Sequence, residues 1–140
     1  MTAAVLMHAS CVAVSGRAVL ITGPSGSGKS ALALTLLAHG AGLVADDQTE
    51  VFLDGDRVMA RCPAALSGLI EARGLGILTS PPAGPSPVVL VADLGQPEPD
   101  RLPPRRRVTL LGQEVDLVLG QGNSHFPAAV LCYLKGTRQA

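Results

Sequence analysis

A glycine-rich segment has the residue types and spacing that most clearly support chemistry. It reads G-P-S-G-S-G-K-S and matches G-x-x-x-x-G-K-[ST], the phosphate-binding (Walker A) loop. Glycines let the backbone wrap around an anion, and a helix that begins at the loop adds its positive dipole end. Lys29 is expected to reach the β- and γ-phosphates of ATP, and the Ser30 hydroxyl to ligate Mg²⁺. The predicted nucleotide-binding residues are Gly23, Pro24, Ser25, Gly26, Ser27, Gly28, Lys29 and Ser30.

A P-loop enzyme also needs an acidic residue at the end of a neighbouring strand, to hold Mg²⁺ or its water. Asp93 follows one apolar run, and the pair Asp46 and Asp47 follows another. Neighbouring residues on an extended chain point to opposite sides. One aspartate of the pair could therefore serve the metal while the other takes a proton from a hydroxyl nucleophile, and a solvated turn is the alternative.

Other polar residues have less specific signals. Glu71 and Arg73 lie in an apolar, glycine-rich segment, where charges are costly unless they are used or paired in a buried salt bridge. His8 is expected in the middle of a strand, where a lone histidine is more often structural than catalytic. The basic run at 105–107 lies beside prolines and is by default a solvated loop.

The elements that must position these residues follow from the apolar pattern. Short apolar runs predict strands, and a leucine repeat after the loop predicts a helix. The predicted strands are 5–14, 18–22, 43–45, 50–53, 57–60, 88–92, 108–111 and 115–119, and the predicted helices are 30–38 and 127–135. The region 63–78 has no clear assignment. The pattern indicates an α/β fold with a mixed β-sheet and flanking helices, in a single domain over 1–140.

Composition excludes several classes of protein. Eleven basic and eleven acidic residues give a net charge of zero, and aromatics are 2%, which argues against a nucleic-acid binder. The three cysteines are unclustered, which favours a reducing, cytoplasmic location over a disulfide framework. The longest stretch without charged residues, 74–92, holds four prolines, so no membrane span is expected.

Four features in combination resemble the catalytic domain of the bacterial HPr kinase/phosphorylases. They are His8, the loop 23–30, the run L-V-A-D-D at 43–47 and the R-G-L-G-containing segment 69–77, and the resemblance covers most of 5–94. It implies the nucleotide fold shared by HPr kinase and phosphoenolpyruvate carboxykinase. It also implies an ATP- and Mg²⁺-dependent serine kinase that phosphorylates a small phosphocarrier protein, HPr or its nitrogen-system homologue, of the phosphotransferase system.

The resemblance assigns roles residue by residue. Asp47 matches the proton acceptor of the kinase reaction, and Ser30 and Glu71 match the Mg²⁺ ligands. Asp46 is a further predicted metal ligand, from its place beside Asp47. The other predicted catalytic residues are His8 and Lys29, which match active-site positions, and Arg101, which resembles the family's arginine in a D-R-L context.

The sequence also departs from the family pattern. His8 lies so near the start that the chain resembles the short, alphaproteobacterial form without the N-terminal regulatory domain. The late P-V-R-P-G-R-N segment, tied to phosphorolysis, has no good match, which predicts weak or absent phosphorylase activity. Family analogy suggests a homo-hexamer.

Two other functions are compatible with the sequence. One is a small-metabolite kinase, for which the arginines at 105–107 could supply a lid. The other is a nucleotide-binding regulatory module that has lost catalysis. A GTPase is disfavoured, because the sequence has no N-K-x-D base-reading motif.

Overall fold

Within residues 3–140, a mixed β-sheet of nine strands and a separate two-stranded sheet make up the framework. The computed structural model describes residues 3–140. The strands are β1 Val5–Met7, β2 Ser10–Val14, β3 Arg17–Thr22, β4 Gly42–Ala45, β5 Thr49–Asp54, β6 Arg57–Arg61, β7 Leu69–Ala72, β8 Gly76–Thr79, β9 Ser86–Asp93, β10 Arg106–Leu110 and β11 Gln113–Leu119. The helices are α1 Lys29–Ala38 and α2 Phe126–Lys135, with a 3₁₀ turn at Ala64–Leu66. The predicted α/β class and mixed sheet are confirmed.

The long strand β9 joins the two halves of the large sheet. It runs parallel to β3 on one edge. On its other edge, the first residues of β9 pair antiparallel with β6, and the last residues run parallel to β11. The sheet continues from β3 through β2 to β4, and from β6 through β5 to β1, while β10 flanks β11. The parallel pairing of β3 and β9 brings the glycine-rich loop and Asp93 to the same end of the sheet.

The central strands are buried on both faces, which explains their nearly continuous apolar sequences. On β3, Val19 and Ile21 pack in one cluster with Leu36 of α1 and Val130 of α2. The alternating residue Leu20 packs in a second cluster formed with β5, β6 and β11. Two-sided burial fixes the end of β3, and with it the start of the glycine-rich loop.

Arg17, at the start of β3, fixes α2 against the sheet. Its guanidinium Nη1 donates hydrogen bonds to the carbonyls of Tyr133, Leu134 and Gly136, at distances of 3.1, 2.8 and 2.7 Å. The last carbonyls of a helix have no partner within the helix and carry its negative dipole end. A cation there satisfies both requirements, so the predicted final helix is anchored at its C-terminus.

The structure corrects one prediction from the pattern and assigns a region that the pattern left open. The predicted strand 5–14 is broken, and His8 lies at the break rather than in mid-strand. The reason is a change of partner, since β1 pairs with β5 whereas β2 pairs with β3 and β4. The unassigned region 63–78 forms the β7–β8 hairpin. None of the helices in residues 3–140 has the length and apolar character needed to cross a membrane.

Candidate active site

The glycine-rich loop between β3 and α1 is shaped to receive an anion. Gly23, Gly26 and Gly28 have φ angles of 142°, 84° and 98°, a region that side chains disfavour. At Gly23 a Cβ atom would also lie 2.6 Å from Ser27 Oγ. None of the described side chains caps the N-terminus of α1, so its first backbone N–H groups remain available to a ligand. These features fit the phosphates of a nucleotide.

Lys29 holds a buried positive charge at this loop. Its side chain extends back from the first residue of α1, and Nζ donates to the carbonyls of Gly23 at 2.9 Å and Pro24 at 3.2 Å. Within residues 3–140 no carboxylate pairs with this ammonium group. The charge is therefore uncompensated, and an anion in the loop would be attracted to it.

Asp46 is a buried carboxylate that links three elements. Its Oδ1 accepts hydrogen bonds from the hydroxyls of Ser10 on β2, at 2.8 Å, and Ser30 on α1, at 2.7 Å. Its Oδ2 accepts one from the backbone N–H of Glu71 on β7, at 3.1 Å. Asp46 thus orients the Ser30 hydroxyl and holds the hairpin beside the loop.

Asp47 lies in different surroundings from its neighbour. Its side chain is 59% exposed, and Oδ1 lies 3.3 Å from Nε2 of His8. The backbone φ is 66°, and the N–H of Gln48 bonds to the carbonyl of Asp46 at 2.7 Å, which closes a tight three-residue turn. This turn sends the two carboxylates in different directions, as the sequence predicts. One is buried behind Ser30, and the other is accessible to a reactant.

A cleft of about 580 Å³ brings most of the predicted residues together. It is lined by the glycine-rich loop and the first turn of α1, together with His8, Asp47, Glu71 and Arg73. Its volume is within the usual range for a small-molecule site. Within residues 3–140 no three His, Cys, Asp or Glu side chains form a metal-binding group. Of the three predicted Mg²⁺ ligands, Ser30 and Glu71 line the cleft, whereas Asp46 is buried and does not line it. Ser30 and Glu71 would hold Mg²⁺ together with phosphates and water, which are oxygen donors that suit the ion.

Arg101 is exposed in the connection from β9 to β10 and is not among the residues that line the cleft. This connection is held against β10, because Arg106 donates two hydrogen bonds to the Glu98 carboxylate at 2.9 Å each. These bonds lower the pKa of the Glu98 carboxyl. The cleft has a different arginine, Arg73, which follows β7.

Three more charged residues that the sequence singled out have clear positions. Glu71 and Arg73 are both exposed and form no ion pair in the described part of the chain, so the buried-salt-bridge interpretation is wrong. Asp93 uses its carboxylate locally, accepting from the N–H of Gly95 at 2.8 Å and from the amide of Gln96 at 3.0 Å. It does not line the cleft. Sequence reasoning missed Ser10, because nothing local distinguishes a serine in an apolar strand.

Comparisons with known proteins agree with these features. A family model described as the HPr Serine kinase C-terminal domain matches residues 1–81. The HPr kinase/phosphorylase of Burkholderia lata is 49% identical over 73 residues, and that of Variovorax paradoxus is 45% identical over 73 residues. The solved structure of the Hpr(Ser) kinase/phosphatase from Coxiella burnetii matches with a TM-score of 0.80 and 26% identity, over 93% of each chain.

The extent of these matches differs. The aligned region of the two curated relatives covers 51% of this chain but only 23% of each relative. The structural match extends over nearly the whole chain, including the C-terminal half that the family model does not reach. The similarity is therefore strongest in the half that contains the loop, both aspartates and the hairpin.

Proposed function

Because the chain belongs to the HPr serine kinase C-terminal domain family, we propose that it is an ATP-dependent protein serine kinase. Its proposed substrate is a small phosphocarrier protein of the phosphotransferase system. The observation that carries the proposal is the shared cleft, in which a phosphate-type loop with buried Lys29 lies beside the exposed carboxylate of Asp47. The names of the relatives support the choice of substrate.

The loop residues are proposed to hold the phosphates of ATP. Backbone N–H groups of 23–30 and the α1 N-terminus would bind phosphate oxygens, and Lys29 would exchange its carbonyl partners for them. Ser30 and Glu71 would hold Mg²⁺, which neutralises charge on the phosphates when it is bound. Asp46 would keep the Ser30 hydroxyl in place, since it already accepts that hydrogen bond.

Asp47 is proposed to accept the proton of the attacking serine hydroxyl. Its exposure allows a protein substrate to reach it, which a buried carboxylate would not. His8 would orient the carboxylate from 3.3 Å away. Arg73 would add positive charge beside the transferring group, in the place for which the sequence predicts Arg101.

The small-metabolite kinase is less well supported, because the basic run does not form a lid. Arg106 begins β10 and pairs with Glu98 at 2.9 Å, and Arg107 pairs with Asp116 at 3.3 Å. Both guanidinium groups are held along the β10–β11 edge rather than in the cleft. A lid that closes over ATP would need arginines free to move.

The proposed activity is tested by direct phosphoryl transfer. The purified chain is incubated with Mg²⁺, ATP labelled at the γ-phosphate, and either HPr or its nitrogen-system homologue. We expect label on one serine of a carrier, and no label when that serine is replaced by alanine. ATP binding without transfer to either carrier would contradict the kinase and favour the nucleotide-binding regulatory module.

Reversal of the reaction is expected to be slow. The family's late segment with two arginines, which is tied to phosphorolysis, has no good match in this sequence, and the nearby residues 120–123 between β11 and α2 include no arginine. Phosphoserine carrier and inorganic phosphate should therefore release pyrophosphate far more slowly than the same preparation phosphorylates carrier. Pyrophosphate release is measured by a coupled assay. A rate within a few-fold of the forward reaction would show that these arginines are not needed.

A further inference from the structure

Ser10 contacts both of the neighbouring aspartates, although it belongs to neither the loop nor the acidic pair. Its side chain is fully buried at the start of β2. The hydroxyl donates to Asp46 Oδ1 at 2.8 Å and accepts from the backbone N–H of Asp47 at 3.2 Å. A hydroxyl can do both at once, because it has one donor and two acceptor positions. Ser10 therefore links the buried carboxylate to the backbone that carries the exposed one.

The pairing of β2 with β4 explains how Ser10 reaches this position. Cys11 is opposite Ala45, but Val12 is opposite Leu43, so Val44 is the additional residue of a β-bulge. Bulges bend a strand and redirect the residues that follow it, and they are frequent beside active sites. The chain after Ala45 is thereby brought over the start of β2, beside the Ser10 hydroxyl.

The backbone at Asp47 needs such an anchor. The φ of 66°, together with the bond from Gln48 N–H to the Asp46 carbonyl at 2.7 Å, matches the rare, strained form of the γ-turn. Strained backbone persists only where the surrounding structure holds it. Ser10 supplies the acceptor for the Asp47 N–H, and the negative charge of Asp46 strengthens the bond that fixes the hydroxyl.

We propose that Ser10 is a positioning residue for phosphoryl transfer, which holds the strained turn so that the Asp47 carboxylate faces the cleft. The hydroxyl itself does not react, and its proton stays on the bond to Asp46. This inference rests on the proposed function. It predicts that loss of the hydroxyl affects the catalytic step more than nucleotide binding, because Ser30 keeps its own hydrogen bond to Asp46 and Lys29 keeps its bonds to the loop carbonyls.

The test compares Ser10→Ala with Ser86→Ala. Ser86 is the first residue of β9, does not line the cleft, and is buried to a similar degree, with 6% exposed. Its hydroxyl donates only to the nearby carbonyl of Gly84. In Ser10→Ala we expect kcat for phosphoryl transfer to fall by about ten- to a hundredfold, the scale of a misplaced catalytic group, with KM for ATP within about twofold. In Ser86→Ala, kcat for phosphoryl transfer and KM for ATP should both equal those of the parent chain. An unchanged kcat in Ser10→Ala, or a matching rise in KM for ATP, would overturn the positioning role.

A second measurement does not depend on activity. Amide hydrogen exchange, followed by NMR, reports whether the Asp47 N–H has lost its acceptor. We expect exchange at Asp47 at least about tenfold faster in Ser10→Ala than in the parent chain, and unchanged in Ser86→Ala. Equal rates would overturn the anchor itself. If the parent chain transfers no phosphate, the proposed function fails, and the exchange rates still decide whether Ser10 holds the turn.

Discussion

An Asp47→Asn variant is expected to lose phosphoryl transfer by about a hundredfold or more, the usual scale for removal of a general base. Asparagine keeps the size of the side chain and tolerates positive φ, so the turn should survive. It cannot accept the proton of the serine hydroxyl. Affinity for ATP should stay within a few-fold, because the nucleotide is proposed to bind through the loop and Ser30 rather than through Asp47. Single-turnover transfer to the carrier and equilibrium nucleotide binding measure the two effects separately.

Asp46→Asn is the matched control, with the same change one residue away. An asparagine there cannot satisfy all three donors, from Ser10, Ser30 and the Glu71 N–H. An unsatisfied buried group costs about 1–3 kcal/mol, so we expect lower stability. We also expect lower affinity for Mg²⁺, because Asp46 accepts the hydrogen bond that orients the Ser30 hydroxyl. Near-normal turnover in Asp47→Asn with an inactive Asp46→Asn would mean that the roles are exchanged. Normal turnover in both would place the catalytic acid elsewhere, and Asp93 would be the first residue to test.

Lys29→Ala is expected to abolish the stabilisation of the fold by ATP. In the parent chain, nucleotide at a hundred times its Kd should add about 2.7 kcal/mol, or on the order of 10 °C in Tm. The variant loses the buried cation of the loop, so MgATP should no longer raise its Tm. Without nucleotide the variant should remain folded, because Lys29 bonds only to carbonyls of its own loop. Thermal denaturation without MgATP measures the stability of the variant fold, and the change in Tm on adding MgATP measures the stabilisation by nucleotide.

Lys135→Ala is the natural control, since Lys135 is the only other lysine in the chain. It lies exposed at the C-terminal end of α2, outside the cleft. We expect its Tm to rise with MgATP as in the parent. A Lys29→Ala variant that ATP still stabilises fully would show that the loop does not bind the phosphates through this lysine.

Local patterns in the sequence predicted the elements around the loop well. The loop, the helix that follows it and the two predicted strands 50–53 and 57–60, which pair with each other, depend on residues close together in the chain. Glycine placement, helical spacing and turn residues act over these short distances, so the sequence specifies them directly. The β7–β8 hairpin was not assigned, because three glycines interrupt the alternation in 63–78 that normally marks strands.

The sequence predicted that the two neighbouring aspartates have different roles, but not which of them is buried. The sequence predicted that Asp46 and Asp47 diverge, because successive residues alternate in direction on an extended chain. Which one is buried depends on Ser10 and Glu71, which lie 36 and 25 residues away. The bulge at Val44 sets that arrangement, and strand alternation alone does not reveal a bulge.

The sequence alone determined that this chain has a glycine-rich loop of the Walker A pattern between a buried strand and a helix, with an acidic pair after another strand. Those features are encoded by neighbouring residues. Only the tertiary structure decided that Arg73 rather than Arg101 lines the cleft, and that Ser10 contacts both aspartates. Both outcomes depend on which strands pair and in what register, and such long-range pairing is selected by burial of the whole core rather than by any local motif.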